Sequence, residues 1–159
     1  MIYSKTTEYA IRALSYLASK EDKTPATIME VHKETALPQA YVAKIFQCLV
    51  HAGILESKSG PGGGYYLRVE AAKLTILRIM RAVDDRLESP LSNCVMGQAE
   101  CDNKNPCSLH DIWTKARDEM TRRLEKETVL DIAKMRSGCF WNKKKRMVLS
   151  RRMQDVFGY

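Results

Sequence analysis

Three cysteines, Cys94, Cys101 and Cys107, share one polar stretch with six and five residues between them, and His110 follows with two residues between. Thiolates are the usual ligands of iron–sulfur clusters, and an imidazole can replace one of them. Structural zinc normally takes closely spaced Cys pairs, which this stretch lacks. Three thiolates at wide spacing suit a cluster with one exchangeable corner, where an oxidant, nitric oxide or iron loss would act. Free thiols without a metal are the plain alternative. Cys48 falls beside core positions of a helix and reads as a small buried hydrophobe, while Cys139 has no evident partner.

The composition sets the setting for these thiols. The chain has 159 residues, enough for one domain and an added element. No run of about 18 apolar residues is present, and the first residues lack the pattern of a signal peptide. The expected location is therefore cytoplasmic, with no membrane partner, where cysteines stay reduced. The net charge is +7. Residues 1–84 carry 11 basic and 8 acidic residues, residues 85–133 carry 7 and 10, and residues 134–159 carry 8 and 1. The tail therefore accounts for the basic excess, so charge alone argues only weakly for a nucleic-acid partner.

Hydrophobic periodicity then gives the elements. Ser4 suits the cap of a first helix with Glu8 in its opening turn, and Ala10, Ala13, Leu14 and Leu17 form one apolar face. A polar stretch ending in Thr24-Pro25 breaks the chain. A short second helix is expected from about Thr27 to Thr35. Pro38 suits the first position of a third helix, in which Val42, Ile45, Phe46 and Leu49 recur at helical spacing until Gly53. Two short strands then flank the tip Ser59-Gly60-Pro61-Gly62-Gly63-Gly64. A fourth helix carries Ile76, Ile79, Met80 and Val83. A long helix is expected from near Ser108, with Ile112, Trp113, Ala116, Met120 and Leu124 as its apolar stripe, and Thr128 suits the cap of a short last helix.

The fold class that follows is mainly α with a small β-hairpin: a winged helix-turn-helix plus a long dimerisation helix. The expected division is 1–84 for the DNA-binding domain, 85–110 for the cysteine loop, 108–133 for the dimerisation helix and short final helix, and 134–159 for a basic tail. In such an arrangement the third helix enters the major groove with its N-terminal residues at the base edges. Gln39, Tyr41, Lys44 and Gln47 are its polar candidates; Gln pairs bidentately with adenine, and Lys reaches guanine or phosphate. At the wing, Ser59, Gly60, Pro61, Gly62 and Gly63 form a tip nearly free of side chains, able to approach phosphates or a minor groove. Lys58 and Arg68 add positive charge around it. An ordinary hairpin tip is the alternative. The loop lacks the Gly-Lys-Ser/Thr of a nucleotide-binding loop.

Three stretches carry a family resemblance: Thr7-Glu8-Tyr9-Ala10-Ile11-Arg12-Ala13-Leu14, Tyr41-Val42-Ala43-Lys44-Ile45-Phe46 and Gly60-Pro61-Gly62-Gly63-Gly64-Tyr65. Over roughly residues 1–133 the chain resembles the bacterial IscR/NsrR/RirA/CymR family of winged-helix regulators. The resemblance implies a homodimer on double-stranded, pseudo-palindromic operator DNA, and in many members an iron–sulfur cluster (2Fe–2S or 4Fe–4S). It implies Cys94, Cys101 and Cys107 as metal ligands, with the fourth either His110 or Glu8 of the partner subunit. Ser59 stands where IscR-like members often have Arg, and Ala43 where they often have Glu, so the operator does not transfer from a relative.

No catalytic constellation is present, and the chain is not expected to be an enzyme. The favoured reading is a regulator sensing iron, redox state or nitric oxide. Its rivals are a cluster-free thiol switch, a metal-binding adaptor docking on a partner enzyme, and a cluster-carrying electron-transfer protein. The tail, with Lys143-Lys144-Lys145-Arg146 and Arg151-Arg152, would either add phosphate contacts or form a solvated basic end.

Overall fold

The Ser4 hydroxyl opens the first helix, α1 (Lys5–Ala18), by accepting from the Thr7 backbone N–H at 3.2 Å. The structure is a computed structural model that describes residues 4–20, 23–84, 94, 96 and 104–135. Cys101, Cys139, most of the cysteine loop and residues 136–159 of the tail lie outside the described residues. Two further Thr caps act in the same way. Thr27 caps α2 (Ile28–Thr35) and Thr75 caps α4 (Ile76–Val83). The start of α3 (Gln39–His51) differs from expectation: Pro38 is its cap residue, with extended backbone, and helical geometry begins at Gln39. The start of α5 (His110–Leu124) lies two residues beyond Ser108, with no side-chain cap.

One apolar core joins these helices. Ala10, Ala13 and Leu14 of α1 meet Val42, Ile45, Phe46 and Leu49 of α3, together with Ile79 and Met80 of α4, all essentially inaccessible to water. Burying a Leu or Phe side chain contributes about 1.5–3 kcal/mol, so this seam dominates the stability. Between α2 and α3 the chain turns at Ala36, which adopts a left-handed φ of +55°. Leu37 follows and plugs into the core. This is the tight turn that a helix-turn-helix requires.

Gly53, at φ +67°, ends α3 and leads into β1 (Leu55–Lys58). Its antiparallel partner β2 is Gly64–Leu67, in the register Leu55 to Leu67 and Lys58 to Gly64. Tyr65 also exchanges two backbone hydrogen bonds of 2.9 Å with Ala26, just before α2. The hairpin is thereby stitched to the start of the helix-turn-helix.

The last helix, α6 (Val129–Lys134), returns to the N-terminal body. Thr128 and Asp131 form a reciprocal capping box. Thr128 bridges Thr75, and the Val129 N–H donates to the Leu74 carbonyl at 2.9 Å. Val129 is fully buried among residues of α1 and α4. In space, α6 therefore packs with the helix-turn-helix core rather than only with the preceding long helix.

Candidate nucleic-acid interface and thiolate donors

The amphipathic period of α3 sends Val42, Ile45, Phe46 and Leu49 inward and leaves its polar positions to face out. Gln39, Tyr41, Lys44 and Gln47 are all exposed. They do not all look the same way. Gln39, Ala40 and Ala43 border an open cleft of about 650 Å³, whose other walls come from Thr27, Ile28 and Met29 of the α2 start and from Lys58, Gly60, Gly63, Gly64 and Tyr65 of the hairpin. Tyr41 leans the other way, edge-on against Tyr9 of α1 with ring centroids 5.7 Å apart. The start of α2, with Met29 55% exposed, joins this face although the sequence reading did not single it out. The signal was an apolar residue standing off the α2 core positions.

The wing has its own geometry. Gly60 and Gly62 adopt left-handed backbone with open space around them. Gly63 and Gly64 are glycines for another reason: an added Cβ would lie 2.3 Å from the Lys58 carbonyl oxygen or 2.6 Å from the Ala26 carbonyl oxygen. Ser59 and Pro61 complete the exposed tip, and Lys58 pairs with Gly64 beside it. Arg68 corrects the expectation of two cations around the tip. It lies at the foot of the hairpin, where its N–H donates to Ile54 and its guanidinium nears Gly53. The strand pair separates it from Lys58. On the hairpin, partial burial and then the hydrogen bond to the Glu56 carboxylate raise the Tyr66 phenol above its usual pKa, so it stays a neutral donor.

Helix α1 supports this face through Arg12. Its guanidinium bonds the Glu8 carboxylate at 3.3 Å and donates to the Thr35 carbonyl at 2.6 Å. Arg12 is buried and fastens α1 to the end of α2, immediately before the helix-turn-helix bend. A charged donor in a dry setting makes a strong hydrogen bond. The sequence reading saw Arg12 only as part of a motif; an arginine on an otherwise apolar helix face was the available clue.

Of the expected metal ligands, Cys94 and His110 are buried while Cys107 is exposed. Cys107 accepts the His110 backbone N–H at 3.0 Å through its carbonyl, so it sits directly at the start of α5. Glu8 is half-buried on α1 and paired with Arg12. Among the described residues, no three His, Cys, Asp or Glu side chains gather as a metal group. Cys48 is half-buried rather than enclosed in the core.

A family model described as Rrf2, iron-dependent transcriptional regulator, matches residues 3–135. The chain belongs to the Rrf2 family. A relative in Aquifex aeolicus, named as an HTH-type transcriptional regulator, is 30% identical over 134 residues, covering 83% of this chain and 91% of its own. The regulator IscR of Vibrio atlanticus is 26% identical over 126 residues, covering 79% and 71%. Among solved structures, CymR of B. subtilis, the global cysteine regulator, superposes with a TM-score of 0.70 at 23% identity, covering 83% of this chain and 95% of that one. IscR of T. potens superposes with a TM-score of 0.64 at 21% identity, covering 82% and 85%. These likenesses match the mainly helical winged-helix fold. This Rrf2 chain is a DNA-binding transcription regulator and not an enzyme. None of its described helices is long and apolar enough to cross a membrane.

Proposed function

We propose that this Rrf2 protein is a homodimeric regulator that binds operator DNA through α3 and the wing, and that its output is set by an iron–sulfur cluster on Cys94, Cys101 and Cys107. The observation that carries the DNA half is the shared face of the α3 start, the α2 start and a wing whose tip is nearly bare backbone. A groove-reading helix beside a wing that tracks the backbone divides the work between base contact and positioning. The donor chemistry supports the second half: three thiolates with an imidazole or a carboxylate as fourth donor suit iron better than a hard cation. When bound, such a group supplies one-electron redox chemistry and sensitivity to oxidants.

The chain's own residues translate that state. Cys107 lies three residues before His110 and its carbonyl accepts the His110 N–H, so a change in what its thiolate holds alters the start of the helix proposed to pair the two subunits. The spacing of the two α3 helices then changes, and with it the fit to a two-fold operator. The fourth ligand is either His110, buried at the start of α5, or Glu8 of the partner subunit. Loss of the visible spectrum in Glu8→Ala but not in His110→Ala assigns the carboxylate; the converse assigns the imidazole.

Exposure of Cys107 favours one rival, a thiol switch without iron, because an accessible thiol is open to oxidants. Anaerobic purification with visible absorbance, iron and sulfide analysis separates the two. The cluster reading expects a coloured protein and different operator affinities for the loaded and iron-free forms. A colourless protein after reconstitution, with DNA binding lost to peroxide and restored by dithiothreitol, selects the thiol switch. Titration at several salt concentrations tests the DNA half: affinity falls steeply with salt if phosphates are engaged, whereas salt-indifferent binding points to an adaptor docking on a partner protein.

A further inference from the structure

The cleft between α2, α3 and the wing has a chemical character of its own. Its apolar lining includes Met29 of α2 and Ala40 and Ala43 of α3, and its polar side chains include Gln39 and Lys58. Met29 is 55% exposed and Ala40 is exposed, so their carbons stand in water in the free protein. A single exposed methionine is ordinary. Here it lines the same cleft as two alanines whose short side chains leave room beside the start of the helix proposed to enter the major groove.

In that groove the thymine 5-methyl group is the apolar feature a base pair presents, and alanine-like side chains contact it. Gln39 borders the same recess and can bond adenine, the partner of thymine, at N6 and N7. Lys58 stands on the wing side, where phosphates would lie. None of the described residues lining the cleft is acidic, so no carboxylate there accepts from cytosine N4 or repels phosphate. Apolar recess, adenine-competent amide and flanking cation together match one occupant.

We infer that Met29, Ala40 and Ala43 form a thymine-methyl reader, which makes an A·T pair beneath the start of α3 a determinant of operator choice. This inference rests on the DNA-binding reading and adds which base edge is read and by which side chains.

The test uses the full-length protein. Operator sites are selected from a random double-stranded library, and each thymine in a selected site is then replaced singly by deoxyuridine, which removes the methyl group and keeps every hydrogen bond. A methyl buried in the recess corresponds to about a fourfold loss of affinity at one position of each half-site. In Met29→Ala, chosen because the side chain is largely outside the core, that loss shrinks towards none. In Ala43→Glu the selected base shifts towards cytosine. Tight binding that tolerates deoxyuridine at every position overturns the inference and leaves DNA binding intact. An undiminished uridine penalty in Met29→Ala also overturns it. Failure to select any sequence overturns the DNA-binding reading beneath it.

Discussion

Glu30 shows what one well-placed carboxylate does for the helix-turn-helix. It lies on α2 and takes a 2.5 Å ion pair from Lys20 and a 2.6 Å hydrogen bond from the Tyr16 hydroxyl, both from the end of α1 or just past it. The Lys20 hydrogen bond, followed by that of Tyr16, holds the Glu30 carboxyl below its usual pKa of 4.5. A depressed native pKa stabilises the fold above the ordinary carboxylate range and stops doing so as pH falls through the native value. Glu30 is partly solvated, so Glu30→Gln is expected to cost only about 1 kcal/mol at neutral pH. Urea denaturation of both proteins should show this gap at pH 7 and its closure as pH falls through and below the carboxylate range. A gap that persists with Glu30 protonated would assign the loss to packing instead. Gln39 and the wing glycines were legible as candidate DNA contacts from residue type and order. The partners of Glu30 and the reach of Arg12 to the Thr35 carbonyl were not, because a contact spanning 10 to 23 positions leaves no local period.

At the scale of elements, the wing and the turn before α3 set where the reading face stands. Adding a Cβ at Gly62 meets open space, so Gly62→Ala carries only left-handed backbone strain, about 1–2 kcal/mol. Gly64→Ala drives a methyl into the Ala26 backbone at the bridge that joins hairpin to helix-turn-helix. It should destabilise more than Gly62→Ala and weaken operator binding beyond its loss of stability, as measured by denaturation alongside DNA titration. The turn offers the opposite case. Ala36 is a non-glycine at φ +55°, so Ala36→Gly removes strain and should be neutral or raise stability by up to about 1 kcal/mol. Equal losses for the two wing variants, or a destabilised Ala36→Gly, would contradict these backbone arguments. Helix existence was readable from periodicity throughout, since each core face repeats locally. The seat of α6 was not. Its capping signal was plain in Thr128, but the bridge to Thr75 pairs residues 53 positions apart, and only the folded chain brings them together.

Across the whole molecule, the long helix is the element whose surface the single chain leaves unsatisfied. It has 15 residues, about 22 Å of helix. Ile112 is 70% exposed, Ala116 is exposed, and Trp113 and Met120 are only partly covered, while Leu124 alone of the expected stripe leans on the core. An apolar stripe that long on one chain is the kind of surface a two-fold partner covers, and a two-fold pair of α3 helices is what a palindromic operator needs. Ile112→Glu would take a carboxylate out of water in that interface, a change costing several kcal/mol in the pair and almost nothing in the free chain, where the position is 70% exposed. The expected outcome is a monomer by sedimentation velocity with unchanged helix content by circular dichroism. Its affinity for the full operator should fall by about 10²–10⁴, the advantage of linked half-sites, while binding to an isolated half-site stays near that of the unaltered protein. A variant that remains dimeric would move the interface away from α5. It would also remove the route by which Cys107, at the start of that helix, is proposed to govern the spacing of the two reading heads.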